Sequence, residues 1–206
     1  MLKLWGRLSS INVRKVVFAA QLLELPFERV DAGAGFGIVQ TPHYLARNPN
    51  ALVPLLEDGD FTLWESNVIV RYLCAKHGGG RLYPQELRAR FEAERWMDWQ
   101  QTTLNPAGRE AFVQLFRVPA ERRSQAAIDA SVAATEPLMA MLDAHLARRP
   151  FMAGDGITMA DIPIACELHR WSGLPLPSPQ RPHLRRWYDA MLALPAARGA
   201  LDVPLS

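Results

Sequence analysis

The chain has 206 residues and only two cysteines, Cys74 and Cys166. They lie far apart in apolar stretches, and no Cys-x-x-Cys pair is present, which argues against dithiol redox chemistry and predicts two buried, reduced thiols. The five histidines lack the spacing of metal ligands, and no H-E-x-x-H motif occurs. No metal site is predicted.

The sequence has neither a large excess of one charge sign nor a long apolar run. Lys and Arg number 23 against 21 Asp and Glu, for a net charge of +2, so nucleic-acid binding is not expected. No segment approaches about 18 uninterrupted apolar residues, and no charged leader precedes an apolar run at the amino terminus. We therefore expect neither export nor membrane insertion, and we expect a cytoplasmic location.

The clearest positive feature is a β-hairpin that leads into a helix. Apolar residues flank Asp58-Gly59, where glycine supplies the positive φ of a tight turn. Glu65-Ser66 then precedes a helical pattern that ends at Gly78. Ser66 is predicted to be the N-cap of this helix, with Gly78 as its C-cap.

Glu65 and Ser66 together have the chemistry to bind an amino acid. A helix N-terminus favours an anion, because its first N–H groups are unpaired and the helix dipole is positive there. The Glu65 carboxylate would attract a cation instead. A ligand with an α-amino and an α-carboxylate group would satisfy both residues; the alternative is a plain cap beside a first-turn acid.

Val53-Pro54 opens the first strand of the hairpin, and proline is normally excluded from strands because it donates no ladder hydrogen bond. If this peptide bond is cis, the backbone N–H and C=O of Val53 face outward and can pair with a peptide-like ligand.

The remainder of the chain divides into an α/β part and a helical part. Leu2 and Leu4 alternate as a strand, a helical pattern starts near Val13, and residues 25–31 predict a second strand, which makes a right-handed βαβ unit. Glycines at 78–80 interrupt the pattern, and residues 87–206 show helical periodicity only. Within that part we expect a break at Asn105-Pro106, a helix start at Pro119 and a kink at Pro137.

Thr158 and Asp161 resemble a capping box that starts a further helix. Pro163 lies in the expected second turn of that helix, where it would remove a hydrogen bond, and the sequence offers no reason for it.

Val-Pro, hairpin, Glu-Ser and helix in this order resemble the glutathione-binding half of the glutathione S-transferases. The Thr158 box is similar to one at the start of a central helix in the family's second domain. The resemblance implies a thioredoxin-like α/β domain of order βαβαββα over residues 1–78, a linker over 79–86 and an all-α domain over 87–206.

The resemblance also implies roles for individual residues. Glu65 and Ser66 would hold the γ-glutamyl end of glutathione, and Val53 with Pro54 would pair with its cysteinyl peptide. Ala51 lies where many members of the family have glycine. The glycyl end of glutathione would be bound by Asn50 or by a residue of the loop at 33–43.

A hydroxyl in the loop after the first strand donates to the glutathione sulfur in serine-type members of the family. Counting along the chain places that role at Ser10, then at Asn12, since some bacterial members use an asparagine, with Ser9 a weaker candidate. The alternative is that a serine here only caps the first helix.

The implied reaction is conjugation of the glutathione thiolate to a hydrophobic electrophile, with glutathione as co-substrate and no metal. Peroxide reduction, dehalogenation, isomerisation and a non-catalytic binding module remain alternatives. The family also implies a homodimer. Aromatic residues of the second domain are candidates for contacting the electrophile, although helical spacing equally suits a core: Trp96, Trp99, Phe112, Phe116, His169 and Trp171.

Overall fold

The computed structural model describes residues 1–205. Strand β1 (Leu2–Trp5) is followed by helix α1 (Ile11–Leu22) and strand β2 (Phe27–Val30), which pairs parallel to β1. Leu2 and Leu4 point into the core with 7% and 1% of their surface exposed. The predicted βαβ unit is confirmed.

The hairpin completes the sheet. Strands β3 (Leu55–Asp58) and β4 (Phe61–Trp64) are antiparallel, and the strand order is β2-β1-β3-β4. Gly59 has φ +66° in the turn, as predicted. The short helix α2 (Pro42–Leu45) precedes β3, and α3 (Ser66–His77) follows β4, so the order is βαβαββα.

Helices alone make up the second half of the described chain, with no strand between residues 87 and 205. They are α4 (Leu87–Trp99), α5 (Asn105–Phe116), α6 (Gln125–Leu146), α7 (Asp161–Ser172) and α8 (Pro182–Leu192). This confirms the all-α prediction. The bounds 1–78, 79–86 and 87–206 stay a prediction, and residue 206 lies outside the described residues.

The expected break near Asn105-Pro106 takes the form of a π-helical segment, Gln100–Leu104, between α4 and α5. Such wide turns interrupt a helix without ending it. The expected helix start at Pro119 is wrong: Pro119 precedes a single 3₁₀ turn, and the Ser124 hydroxyl caps α6 by accepting the Ala127 N–H at 3.2 Å. Pro137 lies inside α6, and the kink remains a prediction.

Helix α7 begins later than the sequence predicts. Its N-cap is Ala160 rather than Thr158, and the Asp161 carboxylate accepts the Thr158 N–H at 2.9 Å, which is one half of a capping box. The later start puts Pro163 in the first turn. A first-turn N–H has no partner within the helix, so proline costs little there.

A single hydrophobic core cluster joins both halves of the molecule. Cys74 and Cys166 are both fully buried within it, as predicted, and burial raises the pKa of each thiol to about 12. Neither thiol is suited to nucleophilic chemistry.

Candidate glutathione site

A cavity of about 50 Å³ lies where the starts of α1 and α3 meet the segment before β3. Two helix N-termini therefore face one small polar space, which favours a bound anion. The cavity brings together all the residues predicted to bind glutathione, as well as Asn12. Its lining is Asn12, Asn48, Asn50, Leu52, Val53, Pro54, Trp64, Glu65 and Ser66.

The Val53-Pro54 peptide bond is cis. The backbone N–H and C=O of Val53 make no hydrogen bond within residues 1–205. The preceding residue is held firmly, because the Leu52 carbonyl accepts the Tyr44 hydroxyl at 2.6 Å and Asn48 Nδ2 at 2.8 Å. Val53 thus presents an open donor and acceptor pair from a fixed segment.

Asn48 is a site residue that the sequence interpretation missed. It is 2% exposed, and its Oδ1 accepts the backbone N–H of Asn50 at 3.1 Å. The side chain therefore shapes the turn that carries Asn50 to Val53. The sequence could have indicated this role, because an asparagine side chain at a turn often accepts a hydrogen bond from the backbone two residues further on.

The start of α3 corrects one prediction. Ser66 is the first helical residue and not the N-cap, since the Glu65 carbonyl accepts the first helical bond from Ile69 N–H at 2.9 Å. Ser66 is 3% exposed, and its hydroxyl donates to Asn12 Oδ1 at 3.3 Å. The prediction used the capping preference of serine, but a cap needs non-helical backbone angles, and these belong to Glu65.

Glu65 occupies the cap position with φ +72°, a region that non-glycine residues rarely adopt. Its side chain is exposed and makes no hydrogen bond within the described chain. Its carboxylate is therefore available to a ligand in the cavity.

Ser10 is the N-cap residue of α1, and its hydroxyl makes no capping bond. It does not line the 50 Å³ cavity, whereas Asn12 does. Its neighbours Ser9 and Ile11 line a second cavity of about 30 Å³, together with Phe112, His169 and other residues. The loop that carries Ser10 thus separates a polar cavity from a partly apolar one.

The predicted aromatic contacts fall into two groups. Phe112 and Phe116 are stacked on α5 with ring centroids 5.5 Å apart, and Phe112 lines the second cavity. Trp96 packs against Trp99 at 5.3 Å and against His145 at 4.6 Å. The two tryptophans line neither cavity.

A buried cation lies one helical turn from Asn12. Lys15 has no exposed surface, and its Nζ donates to Gln100 Oε1 at 2.9 Å and to Gln101 Oε1 at 3.0 Å. Burial lowers the pKa of Lys15 to about 8, and the negative charge of Glu167 limits that fall. A lysine among the apolar residues of α1 was the sequence signal for this network.

The described residues lack two features that would indicate other kinds of site. No helix in residues 1–205 is both long and apolar enough to cross a membrane. The same residues contain no group of three or more His, Cys, Asp or Glu side chains placed to hold a metal ion.

Comparison with known proteins agrees with this architecture. The family model for the glutathione S-transferase N-terminal domain matches residues 1–75, and that for the C-terminal domain matches residues 107–195. The chain is 46% identical to glutathione S-transferase GstB of Escherichia coli K12 over 208 residues, which cover 100% of both chains. It is 35% identical to glutathione S-transferase 3 of Zea mays, over 95% of this chain and 90% of that one.

Solved structures give the same result. The theta class glutathione S-transferase of Xanthomonas axonopodis pv. citri, a structure with glutathione bound, is 38% identical and superposes with a TM-score of 0.96. The match covers 100% of this chain and 99% of that one. This chain belongs to the glutathione S-transferase family.

Proposed function

We propose that this protein conjugates the thiolate of glutathione to an electrophilic carbon of a hydrophobic second substrate. The observation that carries the proposal is the cavity in which Glu65, Ser66 and the open backbone of Val53 meet. These groups match, in kind and in order, the ammonium, carboxylate and peptide groups of glutathione.

Each end of glutathione has a candidate partner. The Glu65 carboxylate binds the α-ammonium group, while Ser66 and the first N–H groups of α3 bind the α-carboxylate. Val53 pairs with the cysteinyl residue as a short added strand. Asn50 is the candidate for the glycyl end, since it lies beyond Val53 on the same cavity wall.

Ser10 is the first candidate to donate a hydrogen bond to the sulfur, and Asn12 is the second. A free thiol with a pKa near about 8.5 is only a few per cent ionised at neutral pH, and the thiolate is the nucleophile. Lowering the pKa by about two units requires about 2.7 kcal/mol of preferential stabilisation of the thiolate. The unbonded Ser10 hydroxyl and the N-terminus of α1 are available for that task.

The thiol proton passes to solvent, the sulfur forms a bond to the electrophilic carbon, and a leaving group departs with its electron pair. The second substrate is proposed to bind on the far side of the Ser10 loop, near Phe112 and Phe116. Trp96 and Trp99 are weaker candidates, because they line neither cavity. Positioning and anion stabilisation supply most of such catalysis.

A homodimer in the cytoplasm is part of the proposal. Apolar side chains exposed on α4 support an interface, since Leu87 is 60% and Phe91 62% exposed. Exposed apolar patches of this kind favour association.

The test combines retention on immobilised glutathione with conjugation of chlorodinitrobenzene. We expect Ser10→Ala to lower kcat/KM by about 100-fold, the equivalent of the lost thiolate stabilisation. Asn12→Ala should lower it less, and Ser178→Ala, at an exposed serine, should not change it. The reverse order for the first two variants would assign the sulfur contact to Asn12. A protein that is neither retained nor thermally stabilised by millimolar glutathione would contradict the proposed function.

A further inference from the structure

Arg7 begins the loop that carries Ser10. Its backbone N–H donates to the Ala32 carbonyl at 3.3 Å, and its carbonyl accepts the Ser10 N–H at 3.1 Å. These two bonds fix the start of the loop against the end of β2. The backbone of Arg7 is therefore tied to that of Ser10.

The guanidinium of Arg7 lies beside the glutathione cavity. Its Nη1 is 2.8 Å from the point where a Cβ on Gly33 would stand, and Val53 Cγ1 is 3.3 Å from the same point. Gly33 also has φ +79°, which disfavours a side chain there. Glycine at this position thus leaves the space that the guanidinium occupies next to Val53.

No anion in the described chain balances this guanidinium. Its Nε is buried without a hydrogen-bond partner, and Arg7 takes part in no ion pair within residues 1–205. By contrast Arg29, at the end of the same sheet, is paired with Asp31. A buried cation without a counter-ion is costly, and a bound anion would supply the missing partner.

The positive charge of Arg117 acts on the Arg7 guanidinium. Burial lowers the pKa of the Arg7 guanidinium, and the positive charge of Arg117 lowers it further. The Arg117 guanidinium lies over the Phe112 ring, 5.4 Å from its centroid, and Phe112 lines the cavity with Ser9 and Ile11. Arg117 thus places a positive charge on the apolar side of the Ser10 loop, and that charge acts on Arg7.

We propose that Arg7 binds a carboxylate of the second substrate, so that the preferred acceptors are electrophiles with an apolar body and an anionic group. The inference rests on the proposed function and adds a substrate class to it. An arginine fork suits a carboxylate because two parallel N–H groups can bond both oxygens. Phe112 and Phe116 then contact the apolar body of the acceptor while the sulfur attacks it.

The glycyl carboxylate of glutathione is the competing anion. Arg7 shares its loop with Ser9, and the charge that acts on it comes from the end of α5 next to Phe112. Gly33 and Val53, which also lie next to the guanidinium, are on the glutathione side. Ser9 and the Arg117 charge lie on the proposed electrophile side, and on that ground we assign the anion to the acceptor.

The experiment compares a chloronitrobenzoate with the matching chloronitrobenzamide, which have the same ring, leaving group and nitro group. Each kcat/KM is divided by the rate of the uncatalysed reaction with glutathione, which removes the difference in intrinsic reactivity. We expect the wild type to favour the acid over the amide, and Arg7→Met to lower the value for the acid by roughly 10-fold to 100-fold, as loss of a charged hydrogen bond does. The amide value should change less than about threefold, because it lacks the charge.

Arg7→Lys keeps the charge without the fork and should fall between the wild type and Arg7→Met. Arg148→Met removes an exposed positive charge elsewhere and should leave the ratio of acid to amide unchanged. Thermal stabilisation by glutathione, retained in Arg7→Met, shows that this variant is folded and still binds its first substrate.

An unchanged ratio of acid to amide in Arg7→Met would overturn the inference. A rise in the KM of glutathione, with equal losses for acid and amide, would also overturn it by assigning Arg7 to the glycyl carboxylate. A wild-type protein that conjugates neither acceptor nor chlorodinitrobenzene would contradict the proposed function itself, so the two failures are distinguishable.

Discussion

Glu65 and Asp161 are two acidic residues at the starts of helices, one in the α/β part of the molecule and one in the helical part. Asp161 is fully buried and accepts hydrogen bonds from Met152 N–H at 3.0 Å, Thr158 N–H at 2.9 Å and Trp187 Nε1 at 2.9 Å. Glu65 is exposed, makes no side-chain hydrogen bond within residues 1–205 and has φ +72°.

The difference separates an acid that serves the fold from one that is available to a ligand. Asp161 connects the segment before α7 to α8, so its bonding capacity is used within the protein. Glu65 lies at a cavity in an unfavourable backbone conformation, and its carboxylate makes no hydrogen bond within residues 1–205. Strained residues with unused bonding groups are typical of functional sites.

The largest effect expected from changing either acid is on the stability of the folded protein. Asp161→Ala should lower the free energy of unfolding by about 3 kcal/mol or more, because it leaves three buried N–H donors without an acceptor. Urea unfolding measures this loss, and the KM for glutathione of the folded protein should stay within about twofold of wild type. Trp187→Phe removes only one of these donors, so it should lower the free energy of unfolding by less than Asp161→Ala does. A loss below about 1 kcal/mol in Asp161→Ala would show that its hydrogen bonds are not structural.

The next effect is on binding. Glu65→Gln should raise the dissociation constant of glutathione by about 10-fold to 100-fold, because it removes the charge that we propose pairs with the α-ammonium group. The melting temperature without ligand should change little, since the Glu65 side chain is exposed and makes no hydrogen bond within residues 1–205, and its charge has only a small effect on the buried Lys15. A falling melting temperature with unchanged affinity would reverse the roles assigned to the two acids.

The smallest effect tests the backbone at Glu65. Glu65→Gly should raise the free energy of unfolding by about 0.5 to 1 kcal/mol, because glycine adopts positive φ without steric cost. Glutathione binding should weaken as in Glu65→Gln. Glu65→Ala is the matched control: it loses the carboxylate but keeps the strain, so it should gain no stability.

Local patterns in the sequence predicted most of the fold. Alternating Leu2 and Leu4, the turn at Gly59 and the helical repeat from residue 87 each follow from spacings within a few residues. Asn12, Asn50, Val53, Pro54, Glu65 and Ser66 were predicted from the sequence and line the candidate glutathione cavity, and five of these six lie in one short stretch from Asn50 to Ser66. Asn48, Leu52 and Trp64 line it too and were not predicted.

The predicted helix starts were wrong where a residue with a good capping side chain lies next to the residue whose backbone angles make it the N-cap. Ser66 and Thr158 have good capping side chains, yet Glu65 and Ala160 occupy the cap positions. Backbone angles at a helix start depend on the path of the preceding chain, which composition does not encode.

The features missed altogether depend on contacts between distant segments. Lys15 donates hydrogen bonds to Gln100 and Gln101, which lie 85 and 86 positions further along the chain. Arg7 is notable because no carboxylate of residues 1–205 forms an ion pair with it and its Nε has no hydrogen-bond partner there, which only a folded structure reveals.

The central claim, that Glu65 binds the α-ammonium group of glutathione, has a direct calorimetric test. It compares glutathione with glutaryl-cysteinylglycine, which lacks only that amino group, on the wild type and on Glu65→Gln. We predict that the wild type binds glutathione about 10-fold to 100-fold more tightly than the analogue, and that this preference disappears in Glu65→Gln. An equal preference in both proteins would contradict the account, because the ammonium group would then be bound elsewhere.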